Sequence, residues 1–127
     1  MDELLQKIQA DPYANLLAIT IEKLDKGYAL CSVTITEDML NFVGLVHGGL
    51  VFSLADVSFS AASNSDYHPS YALDVSGSFL RSASVGDRLT SEASLVHTTR
   101  RTGVYRMDVK KNGELIATFN GTVFRKM

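Results

Sequence analysis

Two hydrophobic rhythms run along the chain. Over 28–36, Cys31, Val33 and Ile35 alternate with Ser32, Thr34 and Thr36, the period-two pattern of a half-buried strand. The same rhythm returns over 103–110, where Tyr105, Met107 and Val109 oppose Arg106 and Asp108. It returns again over 114–125, with Leu115, Ala117, Phe119 and Val123 on one side. Residues 16–24, 71–82 and 88–97 are also rich in strand formers. Turn chemistry separates these runs: Asp25-Lys26-Gly27, Gly86 within 84–87, and Asn112-Gly113, the strongest short hairpin signal. One segment keeps a helical rhythm instead. Over 48–64, Leu50, Val51, Leu54, Val57 and Ala61 recur at three- and four-residue spacings. The other faces carry Phe52, Ala55, Phe59 and Ala62 with small serines between them. A helix apolar nearly all round is a buried helix. Residues 2–10 predict a short helix with Leu4, Leu5 and Ile8 on one side, ended by Asp11-Pro12. The pattern predicts an α+β fold, a long central helix wrapped by a five- to six-stranded, mostly antiparallel sheet.

Composition narrows the picture. The 127 residues, without linker, repeat or low-complexity block, fit one domain spanning 1–127. Apolar residues make up 46% and charged residues 20%, too apolar for a disordered chain. The net charge of −2 offers neither a footprint for nucleic acid nor a polybasic patch for a membrane. No apolar stretch approaches the ~20 residues that cross a bilayer. The N-terminus lacks the basic start and apolar run of a signal peptide. The lone Cys31 cannot form an internal disulfide, and its inward alternation marks it as core. The expected compartment is the cytoplasm.

Candidate chemistry concentrates in Asn41–Ser58, NFVGLVHGGLVFSLADVS. Asp56 places a carboxylate inside the most apolar helix, with no Lys or Arg within two turns on that helix. A buried carboxylate needs a partner or a raised pKa. Asp56 either meets an amide or Arg from another element, or serves a site. No Ser, Thr, Asp or Asn immediately precedes Gly48 to cap the helix. The first amides of a helix have no internal partner, and Gly48 and Gly49 let another molecule approach them closely. Such donors, backed by the helix dipole, suit a developing oxyanion; the glycines also serve a tight turn or close packing. Gly48 and Asp56 are eight residues apart, or ~12 Å along a helix. A base and an oxyanion donor must both lie within ~3 Å of one reacting group. If both act together, Asp56 must face Gly48 of a second, antiparallel copy, and a homodimer with sites at its interface follows.

The stretch NFVGLVHGGLVFSLADVSFSAASNS resembles the PaaI-type hotdog-fold acyl-CoA thioesterases. So do SGSFLRSASVGDRLTSEASLVH and RRTGVYRMDV, and the resemblance covers most of residues 39–125. It implies a hotdog fold, a homodimer, and often a dimer of dimers. It implies hydrolysis of acyl-CoA without a cofactor, coenzyme A being part of the substrate. Carried over, Asp56 becomes the carboxylate that activates water or attacks the thioester carbon. Gly48 supplies the N–H that polarises the carbonyl. Asn41 helps to hold the attacking water, and His47 supports the loop and helix start. The chain departs from the pattern at Ser82, where relatives often carry Pro. It departs again at Ala72 or Leu73, where some carry a water-orienting Ser or Thr; Ser76 is the nearest substitute. Gly49, Phe52 and Phe59, with Leu54, are candidates for the substrate pocket. Arg81, Arg100 and Arg101 are candidates for the CoA phosphates.

Several chemistries lack their motif. No H-E-x-x-H, C-x-x-C or carboxylate–His cluster points to a metal. No G-x-S-x-G elbow, dinucleotide fingerprint or P-loop is present. His68 and His97 have no ligand spacing. The expected substrate is an acyl-CoA of aryl or medium-chain type. The alternatives are a non-catalytic acyl-CoA binding or sensing module on the same fold, and a hotdog dehydratase.

Overall fold

Asn112 and Gly113 both take positive φ, 51° and 78°, and close the hairpin their sequence predicts. The computed structural model describes residues 2–126. Its strands are β1 (Thr20–Asp25), β2 (Tyr28–Thr34), β3 (Ser70–Phe79), β4 (Arg88–Thr98), β5 (Thr102–Lys111) and β6 (Glu114–Arg125). Its α-helices are α1 (Asp2–Gln9), α2 (Pro12–Leu16) and α3 (Gly48–Ser63), with one 3₁₀ turn at Glu37–Met39. The six strands form one sheet in the order β1-β2-β4-β5-β6-β3, every neighbouring pair antiparallel. The chain leaves β2 in one half of the sheet, runs through α3, and enters β3 at the opposite edge.

The α3 helix lies across the sheet's inner face, mainly against β2, β4 and β5. Inward positions alternate as expected: Ala29, Cys31 and Val33 on β2, Leu89 and Ala93 on β4, Tyr105, Met107 and Val109 on β5. Leu54 and Phe59 are fully buried between helix and sheet, each contributing about 1.5–3 kcal/mol. The fully buried hydroxyls of Ser58 and Ser91 are satisfied: Ser58 Oγ donates to the Ala55 carbonyl and lies 2.8 Å from Ser91 Oγ. Burial pushes the Cys31 thiol up to about 12, so it stays protonated and inert in the core.

Three local features differ from the sequence reading. Asp11-Pro12 ends α1 but also starts α2: Asp11 Oδ1 accepts from Tyr13 N and Ala14 N, and Pro12 occupies the first turn. An N-cap aspartate followed by proline is a start signal, and β1 therefore begins at Thr20, not at residue 16. The β3 strand ends at Phe79, leaving Leu80–Ser82 outside it. In β6 a register shift between Val109 and Lys110 inserts one residue. Leu115 is consequently half-buried while Ile116 is buried, since a bulge reverses the alternation beyond it.

Gly121 shows how tightly the helix sits. A Cβ there would lie 2.6 Å from Phe59 Cζ. Gly121→Ala is expected to cost about 1–3 kcal/mol by overpacking. Urea denaturation measures that loss, and Phe59→Leu added to the same chain should recover part of it.

Candidate active site

The two ends of the opening motif lie at separate places on α3. At its start, His47 is extended (φ −68°, ψ 134°), and its Nδ1 accepts from Gly49 N at 2.8 Å. The imidazole is the cap that no Ser, Thr, Asp or Asn provides. A ring nitrogen that accepts carries no proton, so the His47 proton resides on Nε2. Leu50 N and Val51 N both bond to the His47 carbonyl. Of the two glycine amides, Gly49's is thus engaged, and Gly48's has no partner among the described residues.

The loop before α3 is held by Asn41. Its Oδ1 accepts from Val43 N and Leu45 N, each at 3.1 Å. Its own N–H donates to the Leu45 carbonyl at 2.7 Å. Val46 N to Ala83 O and His47 N to Met39 O fasten the loop on both sides. Asn41 Nδ2 makes no hydrogen bond within the described residues and remains a free donor. Asn41, Gly48, Phe79 and Arg81 line one cavity of about 340 Å³. Phe79 and Phe52 each meet Phe119 edge-on, at 5.4 and 5.7 Å between centroids, so an aromatic row runs from the helix to this cavity.

Two turns on, Asp56 lines a different cavity of about 200 Å³ with Phe59, Ser60, Ser63, Tyr71 and Ala72. No cation pairs with it and no donor bonds to it among the described residues. Burial raises its pKa, and the negative charge of Asp11 raises it further. The folded chain therefore binds this proton more tightly than the unfolded chain, whose carboxylate titrates near about 3.9. The ionised form weakens folding above that pH, fully so once pH exceeds the raised folded value. Asp56→Asn is thus expected to raise Tm at pH 7 and to leave it unchanged at pH 3, as paired thermal melts would read.

The remaining expected residues divide. Phe59 is 1% exposed, at once core and wall of the Asp56 cavity; Leu54 is core alone. Ala72 lines that cavity without a hydroxyl, and Ser76 lies further along β3, lining neither cavity. Ser60, Ser63 and Tyr71 bring hydroxyls to the Asp56 cavity instead. The helical period places Ser60 and Ser63 on the face of Asp56, a signal available in the sequence; only the packing of β3 brings Tyr71. Arg81 is at the Gly48 cavity, with a surface pair to Glu114 at 3.5 Å. Arg100 and Arg101 lie on the β4–β5 turn and line neither cavity. No group of three His, Cys, Asp or Glu side chains is arranged for a metal among the described residues. No described helix is long and apolar enough to cross a membrane.

The model of the thioesterase superfamily matches residues 43–117, from the Asn41 loop into β6. The chain belongs to this superfamily. It is 38% identical over 116 residues to the acyl-coenzyme A thioesterase PaaI of Escherichia coli, covering 91% of this chain and 83% of that one. The structure of E. coli PaaI, from the phenylacetic acid degradation operon, superposes with a TM-score of 0.90 at 34% identity, covering 98% and 96%. A hypothetical thioesterase protein of Streptococcus pneumoniae, with coenzyme A, gives 0.81 at 27% identity, covering 84% and 87%. The helix-in-sheet architecture is the hotdog fold, and the chain is a thioester hydrolase of the PaaI type.

Proposed function

We propose that the chain hydrolyses an acyl-CoA thioester at two equivalent sites, each combining Asp56 of one copy with Gly48 of the partner subunit. The observation that carries this reading is the placement of the two cavities. They share no lining residue and adjoin opposite ends of β3, Tyr71–Ala72 at the Asp56 end and Phe79 at the Gly48 end. The ten-residue β3 is an edge strand, exposed at all but Ser70 and Val75. A long bare edge invites another strand. Antiparallel pairing of two β3 strands about a two-fold axis near Val75 sets each Tyr71–Ala72 end beside Phe79 of the partner subunit. The same operation carries Asp56 toward the partner's Gly48. On this reading the working unit is the homodimer, alone or paired into a tetramer, and its compartment is the cytoplasm.

In that site the thioester oxygen accepts from Gly48 N–H, whose helix dipole favours the charge that develops there. Asp56 takes a proton from water as the water oxygen bonds to the acyl carbon. The C–S bond then breaks, and the thiolate takes a proton to leave as free CoA. Direct attack by Asp56, followed by hydrolysis of the anhydride, gives the same products. Asn41 Nδ2 is a donor for the water or the carbonyl. His47 positions Gly48 by capping the helix. Arg81 is the cation closest at hand for the phosphates. The reaction consumes only water. A further cavity of about 340 Å³ between α1 and α3, lined by Leu4, Ile8, Tyr67 and Pro69 together with Lys7, Asp11 and Asn64, adjoins the Asp56 cavity at Ser60. Its size and the apolar half of its lining suit an aryl or medium-chain acyl group.

Free-thiol release across a panel from acetyl- to decanoyl-, benzoyl- and phenylacetyl-CoA tests the reading. Turnover is expected, with aryl or medium-chain substrates at least about tenfold above acetyl-CoA in kcat/KM, the worth of a few buried methylenes. Tight binding with no thiol released from any substrate would instead identify a sensing module.

A further inference from the structure

The loop before α3 carries an aromatic ring that its own chain does not bury. Leu40 and Val46 bridge to each other, so residues 41–45 stand out as a tip. Gly44 supplies the positive φ, 84°, that turns the tip, and Asn41 Oδ1 holds it. Phe42 at its end is nevertheless fully exposed, and Val43 is 62% exposed. We propose that Phe42 of the partner subunit forms the outer wall of the acyl cavity and limits the length of acyl chain taken there. This role rests on the shared-site reading, in which Asp56 meets the partner's Gly48.

Helix register sets where the tip lands. Two antiparallel helices that bring Asp56 to the partner's Gly48 match every step toward one C-terminus with a step toward the other N-terminus. Ser60 is one turn past Asp56, ~6 Å along the axis. The tip precedes Gly48 by a similar span. Ser60 therefore lies beside the tip of the partner. Ser60 is also the lining residue that the Asp56 cavity shares with the 340 Å³ acyl cavity, and Asn64, a turn further on, lines the latter. In the single chain this mouth is open to water: Ser60 is exposed and Tyr67 is 63% exposed. An acyl chain attacked beside Asp56 passes Ser60 to enter the larger cavity, and so runs beneath the partner's Phe42.

The chemistry of the two surfaces agrees. The stretch Asn41–Val46, NFVGLV, carries no charge, so seating it against the cavity strips no ion of water. Its polar backbone is already engaged: Asn41 N donates to the Leu45 carbonyl, Gly44 N to the Asn41 carbonyl, and Val43 N and Leu45 N to Asn41 Oδ1. Phe42, Val43 and Leu45 are all exposed within four positions of the chain, an apolar cluster of the kind that marks an interface. Leu4, Ile8, Tyr67 and Pro69 offer it apolar surface across the mouth. The tip is also fixed before it meets its partner, which limits the ordering cost of association. A benzyl side chain at the mouth occupies volume that a longer acyl chain would need.

Two measurements test the wall, one of specificity and one of placement. The Phe42 ring is fully exposed within its own chain, so Phe42→Ala keeps the fold. It is expected to raise the ratio of kcat/KM for decanoyl-CoA over hexanoyl-CoA at least about tenfold, the worth of a buried methylene or two, with Phe42→Leu in between. An unchanged ratio, or an equal loss for every acyl-CoA, overturns the wall. Cross-linking reads the placement without turnover. Within one chain, ~18 Å of helix from Gly48 to Ser60 separates the two positions. A Phe42→Cys/Ser60→Cys double variant treated with a bismaleimide shorter than that span should give covalent dimers. Either single variant should give none, because the two-fold axis holds like positions at opposite ends of the helix pair. Cys31 is buried and its thiol stays protonated, so it adds no background. Dimers that turn over but do not cross-link overturn this placement alone. A monomer in sedimentation, or no thiol release from any acyl-CoA, overturns it together with the reading on which it rests.

Discussion

Asp56→Asn is expected to lower kcat for acyl-CoA hydrolysis by about 10²–10⁴-fold, the usual worth of a positioned base, with secondary structure and chain association unchanged. The substitution keeps the size of the side chain and removes only the charge and the basic oxygen. Nothing structural is lost with them, because no described residue pairs with or donates to Asp56. The same surroundings set the pH dependence. Burial, then the charge of Asp11, lift the Asp56 pKa. The acid limb of the wild-type kcat profile should therefore fall at a higher pH than the ~3.9 of a free aspartate. Asp11→Asn should move that limb down. Hydrolysis by Asp56→Asn at close to the wild-type rate would remove the carboxylate from the mechanism.

Gly48→Pro is the complementary experiment, and the local geometry makes it unusually clean. Proline is favoured at the first position of a helix, where its missing N–H leaves no intrahelical bond unmade. His47 already has the extended backbone that a following proline requires. A Cβ at Gly48 would rest 3.5 Å from the Phe79 ring, an ordinary contact. The helix should therefore form while one donor disappears, with kcat falling about 10²–10³-fold, the measured worth of a single oxyanion-hole donor. Mixed refolding then asks where the site lies. Neither Asp56→Asn nor Gly48→Pro is active alone, but a hybrid dimer regains one intact site. Random pairing of equal amounts should restore roughly a quarter of wild-type activity if symmetry generates two shared sites. Were the site confined to one chain, mixing would restore nothing.

Periodicity located α3 to within a residue of Gly48–Ser63 and separated all six strands, because burying one face imposes its own spacing on neighbouring residues. It misplaced features that depend on a partner far along the chain. The bulge that buries Ile116 in place of the expected inward Leu115 arises from pairing against Val109 and Lys110, and no pattern within β6 announces it. Residue-type preferences for caps do not single out His47, because imidazole is an uncommon cap, and only the resemblance assigned it to the helix start.

The motif carried the chemistry in one dimension: an acidic group eight positions after a helix start, too far for one helix to bring both to one substrate. Residue spacing alone set the expectation that both groups act together only across two copies, since helical rise is constant, while the class of reaction came from the motif's resemblance to the PaaI-type thioesterases. Only the tertiary structure decided that β3 is the bare edge, that Tyr71 and Phe79 mark its two ends beside the two cavities, and that Arg100 stands with Lys26 away from both. Those facts come from strand order, which long-range pairing sets and local hydrophobic rhythm does not encode.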